Sequence, residues 1–408
     1  MTLKRFEAAL TRNVGLDRAR PYGPAERAVA SLDALAEVGA EIAGWPGYAP
    51  TPLVAQPGLA AALGLGEVWL KDEGARFSLR SFKALGGAYA VLEAIRDRTE
   101  AAGEGRPSSA DLRAGRRPAS LEGMTVACAT DGNHGRSVAW GAGMFGCRCV
   151  IYLHAEVSEG REREIARFGA EIRRVPGDYD ESLRVCAEEA ARAGWTVVAD
   201  TSTGLPDDTA PRRVMQGYGL IAEEVEAALA AAGAPAPTHV FVPAAVGGLA
   251  AGLLATWWER RGAERPVFVG VEPRQADCLS RSLAAGRPVA AEGRIDSFMA
   301  CLAAGELSPA AWPILGPGMD WALTLPDAAA AEAMRVLADA PFGDPPVAAG
   351  ESGAAATAAL IAAASDAEIR AALDLGPEAR VVCICSEGAT DAETFRATVG
   401  RSPDSVVA

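Results

Sequence analysis

Met124-Thr125-Val126-Ala127-Cys128-Ala129, running straight into Thr130-Asp131-Gly132-Asn133-His134-Gly135-Arg136, decides how the rest of the chain reads. The first run is short and apolar, as a strand buried on both faces is. The second carries two glycines, which permit tight backbone geometry, and opens into a helix reaching Phe145. Downstream the alternation repeats. Cys147 to Leu153 reads as a strand, Ser158 to Phe168 as a helix and Glu171 to Val175 as a strand. Asp180 to Ala193 reads as a helix and Trp195 to Ala199 as a strand. Strand and helix alternating at this pitch predict βαβ units around a parallel sheet.

The pattern resumes further on. Helices are predicted over Val214–Ala231, from Leu249 to Arg260, and in the alanine-rich segments Ala328–Ala338 and Ser352–Ala364. Strands are predicted at His239–Val242, Val267–Val271, Ala322–Leu325 and Arg380–Cys385. Upstream, Glu26 to Ile42 has helical periodicity. The polar stretch from Arg96 to Pro118 reads as a mobile surface insertion whose arginines, Arg113, Arg116 and Arg117, are solvated.

Between these blocks lies Arg80-Ser81-Phe82-Lys83-Ala84-Leu85-Gly86-Gly87. It follows a strand at Val68 and an acidic turn, Asp72-Glu73, and leads into a helix over Ala88–Ile95. Lys83 therefore sits where a loop enters a helix, behind Ser81, a favoured N-cap type. The positive end of a helix disfavours an ammonium, and a neutral lysine is a nucleophile toward carbonyl compounds. By itself the octapeptide also fits a surface lysine on a first turn.

Composition narrows the field. The chain has 408 residues, half of them hydrophobic, enough for a large core. A net charge of −14 argues against nucleic acid or an anionic membrane as partner. No apolar run spans a bilayer, and Met1-Thr2-Leu3-Lys4-Arg5-Phe6 is not a signal peptide, so the expected location is the cytoplasm. There are three histidines, His134, His154 and His239, too few for a His-rich metal site. The pairs Cys147/Cys149 and Cys383/Cys385 alternate in apolar strands and read as core thiols rather than metal ligands. Cys278 and Cys301 lie in irregular segments that would permit a disulfide, unusual in a reducing compartment.

Several strand ends carry polar groups. Ala244-Ala245-Val246-Gly247-Gly248-Leu249 follows a strand and opens a helix, so its backbone N–H groups suit a phosphate. It is not GxGxxG, which disfavours a dinucleotide. Read alone, the stretch leaves open the lesser alternative of a close-packed strand–helix turn. Asp131 and Asp200 end strands, where a helix-cap role and a catalytic role are both open. Ser386-Glu387-Gly388 ends the last strand. A reactive lysine, a phosphate turn, two carboxylates and a terminal hydroxyl are together what pyridoxal 5'-phosphate requires.

At this point the chain resembles the fold type II (tryptophan synthase β-like) pyridoxal-phosphate enzymes, and within them the diaminopropionate ammonia-lyases. The resemblance covers nearly the whole chain. It is carried by Ser81–Tyr89, by Ala129–Arg136, by Met215-Gln216-Gly217-Tyr218-Gly219, by Val271-Glu272-Pro273, by Gly350-Glu351-Ser352-Gly353-Ala354 and by Ser386–Asp391. The form Thr130-Asp131-Gly132-Asn133-His134-Gly135 is the most specific; general serine and threonine dehydratases have a serine-rich motif there.

The resemblance implies an α/β fold of two domains, each with a twisted, mostly parallel sheet flanked by helices. The expected large cofactor-binding domain is 1–87 with 201–408, and the small domain is 88–200. It implies Lys83 as the Schiff-base lysine, with Asp131 and Asp200 as acidic residues around the substrate. It implies cofactor contacts from Phe82, Asn133 (phenolic oxygen), Ala245, Val246, Gly247, Gly248 and Leu249 (phosphate), Glu351, and Ser386 (ring nitrogen). The implied reaction is elimination of ammonia from the amino acid 2,3-diaminopropionate, D or L, giving pyruvate and two ammonia, in a homodimer whose small domain closes over the cofactor. The alternative is a serine/threonine dehydratase-like β-eliminase or β-replacement enzyme. Two departures stand out: Ala245 where glycine is usual, and no aromatic residues across 202–213.

Overall fold

A computed structural model describes residues 3–130, 132–201 and 209–406, with Asp180 described by its backbone alone. Among these residues eleven strands build two sheets. They are β1 (Ala9–Arg12), β2 (Leu53–Ala55), β3 (Glu67–Asp72), β4 (Thr125–Ala129), β5 (Arg148–His154), β6 (Glu171–Val175), β7 (Thr196–Val197), β8 (His239–Pro243), β9 (Val267–Pro273), β10 (Trp321–Leu325) and β11 (Arg380–Cys385).

The chain divides into two compact units, one of residues 1–32, 50–82 and 219–408, the other of 33–49 and 83–218. These limits differ from the expected domain boundaries. Residues 33–49, 83–87 and 209–218 pack with the second unit, because their partners lie on the helices there.

The first unit holds a seven-stranded sheet in the order β1-β10-β9-β8-β11-β3-β2. The five inner strands are parallel; β1 and β2 run antiparallel along the two edges. Val381, Cys383 and Cys385 of β11 are fully buried, with Phe241, Val269 and Leu323 on neighbouring strands. The helix Ala355–Ser365 packs on this sheet and is buried over nearly its whole length. Each fully buried valine, leucine or phenylalanine contributes about 1.5–3 kcal/mol, so this layer dominates the unit's stability. Because the inner strands are parallel, Asp72, Pro243, Pro273 and Cys385 all end on one edge, where the loops that follow gather.

A buried charge cluster sits within the same unit. Lys71 Nζ donates to Glu224 Oε2 (2.5 Å) and to the Thr51 carbonyl (2.8 Å). The Arg76 guanidinium donates to both oxygens of Glu73 (2.8 Å each) and of Glu224 (2.7 Å each). All four charged side chains are almost wholly buried. Burial pushes the Glu224 carboxyl up, but the Arg76 and Lys71 charges outweigh it and hold it below its ordinary value. Glu73 of the acidic turn is thus buried, and it begins a 3₁₀ segment, Glu73–Ser78.

The second unit holds a four-stranded, all-parallel sheet, β6-β5-β4-β7. Its helices include Lys83–Ala101, Asn133–Phe145 and Tyr179–Ala193. The stretch from Arg96 to Pro118 is tied down rather than free. The helix begun at Lys83 continues to Ala101, and Ser109–Arg113 is helical, with Ser108 Oγ accepting from the Asp111 N–H. Arg96 bonds Glu41 (2.5 Å) and Glu93 (2.9 Å), and Arg113 Nη2 donates to the Gly44 carbonyl (2.9 Å).

Candidate active site

The second unit brings Lys83 and Asp200 together. The helix Lys83–Ala101 starts at Lys83 itself, so the position before it is Phe82. Ser81 is therefore not its cap; it forms a one-residue antiparallel bridge with Glu387. The start of the helix is fixed by Ser137, whose Oγ donates to the Lys83 carbonyl (2.7 Å) and accepts from the Ala88 N–H (3.0 Å). Glycine is required at 87, since a Cβ there would fall 2.6 Å from that oxygen.

Lys83 Nζ donates to Asp200 Oδ2, forming an ion pair with both side chains about five-sixths buried. Asp200 lies just beyond β7, which pairs in parallel with β4, so the loops after both strands share one sheet edge. Burial pushes the Asp200 carboxyl up; the Lys83 ammonium beside it, with His134, pulls it far below its ordinary 3.8. The pair puts an amine and a carboxylate, both of them groups that acid–base chemistry uses, in one largely buried place. Asn133 begins the helix Asn133–Phe145, and its Oδ1 accepts from Arg136 Nη2 (2.8 Å). Asp131 lies outside the described residues.

Two residues of this cluster carry no role in the sequence reading. Tyr218 is buried beside Lys83 and Asp200, and burial raises its phenol far above the usual range. His134 is buried, with Nε2 2.9 Å from the Val198 carbonyl and Nδ1 4.0 Å from Asp200 Oδ2. The available signal was the position of each inside a motif; their burial beside Lys83 was not legible.

In the first unit the turn after β8 has the shape of an anion cradle. Ala245 (φ 48°) and Gly247 (φ 91°) are both left-handed. The Gly247 N–H closes the turn onto the Ala244 carbonyl (2.8 Å), and the Val246 carbonyl accepts from the Ser308 N–H (2.9 Å). Gly248 and Leu249 open a helix running to Arg261, and first-turn N–H groups have no acceptor within their own helix. Glycine at 247 is enforced twice, by its φ and because a Cβ would meet Leu315 Cδ1 at 2.6 Å.

Alanine at 245 adopts a conformation that costs an L-residue about 1–2 kcal/mol, while glycine costs about 0.4–1 kcal/mol through the unfolded chain. Ala245→Gly is therefore expected to leave stability unchanged or raise it by about 0.5 kcal/mol in urea unfolding. A clear loss would show that the methyl group packs productively.

Ser386 follows β11 and is buried, its carbonyl accepting from the Phe82 N–H (3.1 Å). Phe82 is buried at that contact. Glu351 is buried in the turn leading to the helix Ala355–Ser365. Glu387 Oε2 accepts from Thr390 Oγ1 (3.1 Å) and lies 3.7 Å from Cys301 Sγ. Cys278 and Cys301 are both free thiols, not a disulfide. Cys278 Sγ instead approaches Glu272 Oε1 (3.7 Å) and the Ala245 carbonyl (3.8 Å). Glu272 takes the N–H groups of Leu279 and Ser280 at the start of the helix Cys278–Ala285 (2.7 and 2.9 Å), yet complete burial pushes its carboxyl up to about 7.

The second unit thus holds an amine paired with a carboxylate, and the first holds a helix-opening turn and a serine just past a parallel strand's end, each of a type that a carbonyl-bearing phosphate cofactor uses. Comparison with known proteins agrees. The family described as pyridoxal-phosphate dependent enzyme matches residues 45–387. Diaminopropionate ammonia-lyase of Escherichia coli is 36% identical over 358 residues, 86% of this chain and 88% of the relative. The crystal structure of the Escherichia coli enzyme in complex with D-serine superposes with a TM-score of 0.87 at 32% identity, covering 97% of this chain and 98% of that one. The same enzyme in complex with an aminoacrylate–PLP azomethine reaction intermediate superposes at 0.86, also at 32% identity, over 97% and 98%. The chain belongs to the pyridoxal-phosphate dependent enzyme family, fold type II, and within it to the diaminopropionate ammonia-lyases.

Proposed function

We propose that the chain eliminates ammonia from 2,3-diaminopropionate with the help of pyridoxal 5'-phosphate, releasing pyruvate and a second ammonia, and that Lys83, Asp131 and Asp200 carry its acid–base chemistry. The observation that carries the assignment is the buried Lys83–Asp200 pair at a helix start. The donor set fits the cofactor. Lys83 Nζ would hold its aldehyde carbon covalently. The turn at residues 245–249 would take the phosphate through those of its N–H groups not already given to the Ala244 carbonyl, as that of Gly247 is. Asn133 would take the phenolic oxygen and Ser386 the ring nitrogen, with Phe82 and Glu351 completing the set. When bound, the cofactor supplies an electron-withdrawing ring that takes up charge developing at the substrate α-carbon.

The remaining work belongs to the side chains. Lys83 Nζ, once released, takes the α-proton of the L-isomer. Asp131 holds the β-ammonium and takes the α-proton of the D-isomer. Asp200 keeps Lys83 oriented and shares its proton, and a proton delivered to the β-nitrogen lets it leave as ammonia. A hydroxyl at Ser386 would offer the ring nitrogen a neutral partner. A homodimer in the cytoplasm belongs to the same reading, and light scattering should give twice the 42.0 kDa chain mass.

The direct test is pyruvate and ammonia release from both isomers of diaminopropionate, with serine and threonine as controls. Serine is a pertinent competitor because a relative was solved with D-serine. The outcome expected is two ammonia per pyruvate from diaminopropionate and slower turnover of serine. Faster turnover of threonine, with 2-oxobutyrate as product, would move the chain to the dehydratase reading.

A further inference from the structure

His134 is buried beside the Lys83–Asp200 pair and is not used by the chemistry above. Its Nε2 lies 2.9 Å from the Val198 carbonyl, which can only accept, so the ring proton sits on Nε2 and Nδ1 keeps its lone pair. That Nδ1 has no hydrogen-bond partner among the described residues and lies 4.0 Å from Asp200 Oδ2. A buried acceptor facing a buried carboxylate stabilises nothing while both lack a proton. It becomes favourable when a proton lies between them.

We propose that Asp200 and His134 form a proton-holding pair that receives the charge of Lys83 when its amine becomes the nucleophile. The proposal rests on the reading that Lys83 reacts as a neutral amine in this family. In the step an Nζ–H bond of Lys83 breaks and its electron pair stays on nitrogen. The proton passes along the Asp200 carboxylate and a new bond forms at His134 Nδ1. Before the step the trio holds one ammonium, one carboxylate and one neutral ring; afterwards it holds a neutral amine, the same carboxylate and an imidazolium. The net charge is unchanged, so no charge is created in a buried place.

The surroundings fit this direction. Asp200 and Lys83 are the charged groups facing the ring; the Tyr218 phenol and the Cys128 thiol flank the same pair, and burial holds both neutral. With Lys83 cationic, burial and the ammonium hold His134 below its ordinary value against the pull of Asp200. Without that ammonium the carboxylate's pull is opposed by burial alone. His134 is thus a positioning and proton-holding residue, with no contact to substrate required.

The test is ¹⁵N-histidine NMR on the cofactor-free full chain, which has three histidines to resolve. His154→Gln and His134→Gln assign the signals. The wild type should show the Nε2–H tautomer at neutral pH. In Lys83→Met the His134 midpoint should rise by about one pH unit or more, the size produced by an uncompensated carboxylate at this range. In Lys83→Met/Asp200→Asn the rise should vanish. An Nδ1–H tautomer in the wild type, or a midpoint in Lys83→Met equal to the wild type's, would overturn the proposal. Lys83→Gln serves in the same way where Lys83→Met does not fold. The titration needs neither cofactor nor substrate, so failure of the wild type to form pyruvate would sink the lyase reading and leave these midpoints untouched.

Discussion

Lys83→Ala should reduce turnover of diaminopropionate by more than about a thousandfold, because it removes both the covalent anchor and the base for the L-isomer. The purified variant should also stay colourless after incubation with pyridoxal 5'-phosphate. Borohydride should fix the cofactor to position 83 of the wild type and to no position of the variant. The anchor has no substitute nearby: the other buried lysine of this region of sequence, Lys71, is held by Glu224 and the Thr51 carbonyl in a cluster of its own. A variant that keeps both colour and turnover would move the reactive amine elsewhere and remove the basis of the assignment.

Asp200→Asn should be the second severe change, and it should act on stability as well as rate. It leaves the Lys83 ammonium about five-sixths buried with no counter-charge, and breaking such a pair by removing one partner costs about 3–5 kcal/mol. Lys83→Met introduced together with Asp200→Asn should recover most of that loss, since the stranded charge goes with it. The pH dependence follows from the direction of the Asp200 shift. Its folded value lies below its ordinary 3.8, so the contribution to stability is complete above that value. It is lost as the solution is acidified toward the folded value, and urea midpoints of wild type and Asp200→Asn should converge in strong acid. Wild-type turnover in Asp200→Asn would take the residue out of the mechanism.

Much of the architecture could be read from the chain because parallel strands announce themselves. Val126 to Ala129, Val150 to Leu153 and Val381 to Cys385 are continuous apolar runs, and the strand bounds Arg380–Cys385 match the reading. The edge strands β1 and β2 escaped it. They are only four and three residues long and half-exposed, so their side chains carry no clear period. Glu26 to Ile42 reads as one helix yet forms two, Pro24–Arg27 and Leu32–Ala43, because apolar spacing alone does not register the break between them.

The site divides in the same way. Lys83, Asp200 and the turn at 245–249 stand out in the sequence because chemistry-bearing residues lie at strand ends and helix starts. Ser81 was given a cap role on residue type alone; the bridge to Glu387, three hundred residues away, has no local signal. His134 and Tyr218 are ordinary letters within their motifs until burial places them against Lys83. Asp72-Glu73 reads only as an acidic turn, because the arginine and lysine that neutralise Glu73 and Glu224 meet only in three dimensions.

That four-charge cluster has a bearing on how the protein reaches its native state. Lys71 and Arg76 meet Glu224 across separations of 153 and 148 residues. Any half-assembled chain that sequesters three of the four groups leaves one of those three without its counter-charge in a medium that cannot solvate it. Such species are disfavoured on both sides, so segments far apart in synthesis order must dock nearly simultaneously. The knot thus acts as a checkpoint on assembly: a nascent chain that has not yet delivered Glu224 has reason to keep Lys71 and Arg76 in water.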